Sequence, residues 1–175
     1  VMGLPDPRSE GSKNPGATNV LRIGGKKAAI ITLAGDSIKG VIPVLLAHAF
    51  GLENHWLAAT ALAAFIGHLY PIFFGFEGGK GVATGFGVIF ALEWQLGLIL
   101  GGIWLVTAAA FRYSSLSALV AFSAAPFIAF ALWPSYTAPL AILSALLVYR
   151  HQSNIRNLIQ GKENKLGQKK ASPTE

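Results

Sequence analysis

The chain is a succession of apolar runs separated by short polar breaks, and this alternation restricts its fold more than any single motif. Apolar residues dominate 28–50, 56–76, 82–92, 96–111, 116–133 and 137–149. About 20 apolar residues in a helix cross the hydrocarbon of a bilayer. The first two runs reach that length. The third, and to a lesser degree the sixth, need tilt, extension into flanking residues or a locally thin bilayer. Merging 82–111 into one helix would put Glu93, Trp94 and Gln95 in its middle, so two crossings joined by a tight turn fit better. The expectation is an all-α, polytopic integral membrane helix bundle with six spans in this chain. Composition agrees, since only 13% of residues are charged and 53% are hydrophobic. Soluble domains carry about twice that charge.

Numbering these runs as crossings tests the parse. One side then holds residues 3–27, 77–81, 112–115 and everything from 150 onward. Those segments contain Arg8, Lys13, Arg22, Lys26, Lys27, Lys80, Arg112, Arg150, Arg156, Lys162, Lys165, Lys169 and Lys170, all but one of the 14 basic residues. The turns near Glu53, Glu93 and Pro134 on the other side hold none, and Lys39 lies within the first run. Basic residues favour the cytoplasmic side, so the first side is expected to be cytoplasmic. The net charge of +6 then reflects topology rather than nucleic-acid binding. Residues 1–159 read as the transmembrane domain and 160–175 as a basic, flexible tail able to touch anionic lipid. The chain opens on Val1 with no signal peptide, and an upstream segment is expected.

The basic side also collects hydrogen-bond donors. It holds Ser12, Lys13, Asn14, Thr18 and Asn19 between Gly11 and Arg22, and then the glycine turn Gly78-Gly79-Lys80-Gly81 opening the third run. Ser114 and Ser115 open the fifth run, and His151 and Asn154 follow the sixth. Glycine lets backbone N–H groups approach an anion, and helix amino termini favour negative charge. Four such clusters on one face suit a phosphate-bearing ligand at the membrane surface. Singly they have ordinary explanations: Ser12 or Asn14 as cap or turn residues, Lys80 as a topology anchor, His151 as an interfacial histidine. The pairs Gly81/Gly85 and Gly97/Gly101 have the spacing of helix-packing glycines.

Asp36 and Lys39 stand one turn apart within the first run. Intramembrane charges are paired or functional, and the spacing allows mutual pairing, so structural and catalytic roles both stay open. His48, His55 and His68 are scattered, and no metal site or cofactor is expected. With no cysteine, thiolate metal sites and thiol nucleophiles are excluded. Residues 75–81 have the wrong glycine spacing for a P-loop and lack Ser or Thr after Lys80. No G-x-S-x-G elbow occurs, and no His precedes an Asp by five positions.

These motifs resemble those of the bacterial acyl-phosphate:glycerol-3-phosphate acyltransferases, the PlsY family. Residues 11–19 resemble its first cytoplasmic motif, 78–84 its second, and 151–155 with Gly161 and Glu163 its third. Leu4-Pro5-Asp6-Pro7-Arg8 and Asp36, Lys39 and Gly40 fit as well. The resemblance implies a seven-helix inner-membrane enzyme with its active site on the cytoplasmic face, the first helix preceding Val1 and absent here. It implies transfer of a fatty acyl group from acyl phosphate to glycerol 3-phosphate, giving lysophosphatidic acid and phosphate at the start of phospholipid synthesis. It also implies a soluble partner, a phosphate acyltransferase that supplies acyl phosphate. By the same resemblance Ser12, Arg22, Lys80, His151 and Asn154 carry catalysis, with Gly78, Gly79 and Ser114 or Ser115 at the phosphates. Glu163 is implied to be structural. Lys13 stands where the family usually has glycine, and Asn157 where arginine is common.

The implied chemistry suits these residue types. An acyl phosphate is already activated, so the enzyme must chiefly hold two phosphate-bearing substrates with the hydroxyl aimed at the carbonyl. Arg22 and Lys80 would offset phosphate repulsion and charge on the leaving group. His151 among phosphates would tend to be protonated and to donate, though its ordinary pKa also suits a general base. The acyl chain is expected in a groove lined by Val82–Leu92. The alternatives are a transporter of a phosphorylated metabolite, for which the opposite side offers no donor-rich counterpart, or a structural membrane protein.

Overall fold

A computed structural model describes residues 3–167. The described residues form helices α1 (Ala17–Ala49), α2 (Asn54–Leu69), α3 (Val82–Leu92), α4 (Trp94–Phe111), α5 (Ser114–Leu132), α6 (Thr137–Arg150) and α7 (Gln152–Ile159), with 3-10 turns at Ile72–Phe74 and Pro134–Tyr136. Among the described residues four segments can cross a bilayer by length and apolarity: Ala17–Ala49, Asn54–Phe74, Trp94–Phe111 and Ser114–Leu132. The outer surface carries Ile30, Leu33, Leu105, Val106, Phe127 and Phe130 exposed, an arrangement that only a lipid environment makes favourable.

Glu93 is extended between α3 and α4 (φ −149°, ψ 105°), so the run 82–111 is two helices, as its polar centre suggests. The amino-terminal loop is shorter than the sequence implies. It ends at Gly16, and 17–24 are already helical, up to a break at Gly25 (φ 77°, ψ −177°). That backbone conformation is essentially restricted to glycine. Gly24 beside it lets Leu4 of the loop pack against the helix, since a Cβ there would stand 2.6 Å from Leu4 Cδ1.

The core is built from one stripe of each of α1 to α6. On α5, Ala118, Ala121, Phe122, Ala125 and Ala129 repeat at three- and four-residue spacing and are all buried. Ala121, Phe122, Ala125 and Ala129 join Phe65 and Leu69 of α2, Val88 and Ile89 of α3, and Leu140, Leu143 and Leu147 of α6. Most of α3 lies in this core, with Gly85, Gly87, Val88, Ile89 and Leu92 buried. Much of the Val82–Leu92 surface is therefore turned inward, with Gly85 under an aromatic ring and Gly87 against the α1 backbone. A Cβ on Gly85 would meet the Phe122 ring at 2.6 Å, and one on Gly97 would meet Phe90 at 2.5 Å. Gly101, by contrast, faces open space, so helix packing does not account for it.

The closest helix contact, α1 on α3, uses a pair that spacing did not single out. A Cβ on Gly40 would stand 2.6 Å from the Thr84 carbonyl oxygen, and one on Gly87 would collide with the Ser37 carbonyl. Thr84 Oγ1 donates to the Asp36 carbonyl at 2.8 Å. Asp36 lies eleven residues beyond Gly25, roughly 16 Å along the helix. The 11-residue α3 thus begins part-way along α1, which accounts for its short length.

Candidate active site

The segments assigned to the basic side meet at one end of the bundle. Thr18 and Ser114 share a hydroxyl hydrogen bond at 3.3 Å, and Arg112 Nη2 donates to the Leu166 carbonyl at 3.2 Å. At the other end Tyr136 donates to Asn54 Oδ1 at 3.3 Å.

The glycine turn is held from two sides. Gly78 rests on the carbonyls of His68 and Leu69 so closely that no Cβ would fit. Above it, Arg150 Nη2 donates to the Gly78 carbonyl at 2.8 Å and Nε to the Gly79 carbonyl at 3.3 Å. The same guanidinium lies 5.4 Å from the Tyr70 ring centre. With both carbonyls turned to Arg150, the turn leads into α3 through Gly81 (φ 84°), whose first N–H groups have no intrahelical partner. Sequence reasoning counted Arg150 only as a topology charge; nothing local signals its contact with a turn over seventy residues earlier.

Lys80 extends from this turn and donates to Asn154 Oδ1. Burial pulls its pKa below the usual lysine value, Glu163 opposes that, and Arg150 and Arg22 add to it. Asn154 Nδ2 donates to Glu163 Oε1 at 2.7 Å, and Ser115 Oγ donates to the same oxygen at 2.7 Å. Lys80, Asn154, Glu163 and Ser115 therefore form one chain that joins α5 and α7 to the turn before α3. Glu163 is its junction. The stretch beyond α7 is ordered as far as it is described: Gly161 (φ 67°) turns it back and Leu166 N–H donates to the Arg112 carbonyl at 2.6 Å. Of the stretch read as a tail, 160–167 thus returns to the bundle at Arg112, while 168–175 lie outside the described residues.

His151 links α6 to α7 and is buried. Its Nδ1 donates to the Leu147 carbonyl at 2.8 Å. Burial brings its pKa down to about 4, with the Leu147 bond and Glu163 opposing and Lys80 and Arg150 reinforcing. The imidazole is thus neutral near pH 7, and its Nε2 is an acceptor. Desolvation outweighs the neighbouring carboxylate here.

The first motif is a shaped loop. Asn19, 1% exposed, accepts from the Ser12 N–H at 2.9 Å and donates to the Pro7 and Glu10 carbonyls at 3.0 Å each. Its amide is spent on the loop, and Gly11 (φ 64°) is needed because Asn19 Oδ1 occupies the place of a Cβ. Lys13 adopts φ 55°, the left-handed region, where the resemblance leads one to expect glycine. Asn14 packs against Gly16, and Arg22 lies on the first turns of α1 within electrostatic reach of Lys80. An apolar cavity of about 250 Å³ behind this loop is lined by Leu4, Pro5, Val20, Ile23 and Ile31 among others.

Several known proteins resemble this chain. The sequence model of the family described as Glycerol-3-phosphate acyltransferase matches residues 1–161. A protein of Thioalkalivibrio sulfidiphilus named glycerol-3-phosphate acyltransferase is 55% identical, covering 100% of this chain and 87% of its own length. One of Methylococcus capsulatus with the same name is 54% identical, covering 97% and 87%. Among solved structures, the glycerol 3-phosphate form of PlsY (YgiH), an integral membrane glycerol 3-phosphate acyltransferase, superimposes with a TM-score of 0.88 at 40% identity, covering 93% of this chain and 83% of that one. Its lysophosphatidic acid form gives 0.83 at 40% identity, over 89% and 81%.

Proposed function

This chain belongs to the glycerol-3-phosphate acyltransferase family, and from that premise we propose how its residues carry the reaction and which acyl donor they take. It is an integral membrane acyltransferase acting on glycerol 3-phosphate. The donor is an acyl phosphate, supplied by a soluble phosphate acyltransferase. The site faces the cytoplasm of a bacterial inner membrane, a reading supported by the basic residues gathered on that side. The observation that carries the site assignment is the Lys80–Asn154–Glu163–Ser115 chain, which brings three separate motifs to one place.

The glycerol hydroxyl oxygen attacks the acyl carbonyl carbon, the bond from that carbon to the phosphate oxygen breaks, and the hydroxyl proton leaves on the phosphate. Lys80 and Arg22 hold the two phosphates together against their repulsion and stabilise charge on the leaving group. Ser12, Ser114, Thr18 and the N–H groups at Gly79 and Gly81 supply further donors. His151, neutral with Nε2 accepting, orients the attacking hydroxyl. Asn19 and Gly11 act one step back, by shaping the loop that presents Ser12. The cavity behind that loop suits the apolar end of the donor.

The test is formation of lysophosphatidic acid from glycerol 3-phosphate in lipid-reconstituted protein, with palmitoyl phosphate or palmitoyl-CoA as donor. Product from acyl phosphate alone, lost in Lys80→Ala, is the expected result. Equal turnover of acyl-CoA would overturn the donor assignment, and full activity in Lys80→Ala would overturn the site.

A further inference from the structure

Asp36, Lys39 and His68 are polar residues set within long apolar helices, and each is costly there. Lys39 Nζ donates to Asp36 Oδ1 at 2.7 Å, the pairing their spacing allows. His68 Nδ1 lies 3.6 Å from the same oxygen, with side-chain exposures of 8% for His68 and 13% for Asp36. Lys39 alone would neutralise Asp36, so charge balance does not explain the histidine. Its other edge does. The imidazole fills the space beneath Gly79: a Cβ there would overlap Nε2 and stand 3.0 Å from Cε1, and the three nearest atoms all belong to this ring. The His68 backbone carbonyl supports Gly78, and the Asp36 carbonyl takes the Thr84 hydroxyl at 2.8 Å. One assembly on α1 and α2 therefore underlies the glycine turn on both sides of Lys80, opposite Arg150.

We propose that Asp36 and His68 are positioning residues of the acyltransferase: Asp36 orients the His68 ring, and the ring sets the height of Gly79 and so the place of Lys80. This rests on the reading of the Lys80 turn as a phosphate site. Neither residue touches substrate. Lys39 completes the assembly by holding Asp36 in place.

The experiment is steady-state kinetics in glycerol 3-phosphate, with palmitoyl phosphate fixed, on full chains reconstituted in lipid. Asp36→Asn and His68→Ala are expected to raise KM about tenfold while kcat changes much less, since displacing the turn weakens binding before it alters the chemical step. Gly79→Ala should do the same, and in the double variant with His68→Ala the two increases should not multiply, KM staying at that of His68→Ala alone. Gly78→Ala combined with His68→Ala should instead multiply the two effects, because the Gly78 Cβ meets backbone. A purely structural role would lower the amount of folded protein and leave KM unchanged. Unchanged KM in Asp36→Asn, or KM increases of Gly79→Ala and His68→Ala that multiply, overturns the proposal. Lys80→Ala runs alongside: if it alone raises KM, the positioning proposal fails and the site stands. If it too is silent, the site reading has failed. Should His68→Ala not insert, the near-isosteric Asp36→Asn decides.

Discussion

Lys80, in the glycine turn before α3, donates its ammonium hydrogen to Asn154 on α7, joining two segments that the sequence separates by 74 positions. Asn154 passes the connection to Glu163, which also receives the Ser115 hydroxyl. The site is therefore assembled through neutral amide and hydroxyl groups around one carboxylate, with the cation free to turn towards an anionic substrate.

That relationship predicts the behaviour of Glu163. Its charge raises the Lys80 pKa against burial. Glu163→Gln keeps an acceptor for Ser115 and Asn154 but removes the opposing charge, so Lys80 should lose its proton at lower pH. The alkaline limb of the kcat/KM profile should move to lower pH than in the parent chain. A limb that does not move would detach Glu163 from the electrostatics of Lys80.

His151 predicts a pH dependence of stability. Its folded pKa is about 4 against an ordinary 6.5, so between these values the unfolded chain binds more protons. Stability from this group is complete above pH 6.5 and is lost as pH falls towards 4. His151→Gln should flatten that part of a melting-temperature scan, leaving the slope from other groups. Identical slopes in the two chains would show that the buried imidazole does not titrate this way.

Lys13 predicts a stabilising substitution. A non-glycine residue at φ 55° costs about 1–2 kcal/mol, partly offset because glycine gains about 0.5–1 kcal/mol of freedom when unfolded. Lys13→Gly should therefore raise stability by up to about 1 kcal/mol, and Lys13→Val should lower it. Thermal melts of both variants against the parent check the order.

Gly25 predicts a cost that is conformational rather than steric. A Cβ there meets nothing, but its backbone lies where only glycine is comfortable. Gly25→Ala should cost on the order of 1–3 kcal/mol, or straighten α1 and carry Arg22 away from Lys80. Gly101→Ala, in open helical space, should be neutral or slightly stabilising. Equal melting temperatures for Gly25→Ala and the parent would rule out the break as a constrained feature.

The sequence by itself determined the helical membrane class, the break at Glu93, the gathering of basic and hydroxyl residues on one side, and the residue types around the phosphate chemistry. Each of these follows from local rules. Apolar length, glycine flexibility and the sidedness of lysine and arginine act over a turn or a span and need no partner. The Asp36–Lys39 pair was legible for the same reason, being one turn apart. The tertiary structure alone decided that Asn19 shapes its loop, that Arg150 holds the Gly78 and Gly79 carbonyls, and that Glu163 is the junction of the site. It also decided that one side of Val82–Leu92 packs into the core. Those roles rest on contacts between groups far apart in the chain. A buried donor or acceptor must find a partner wherever packing brings one, and helix periodicity does not say which helix will be there.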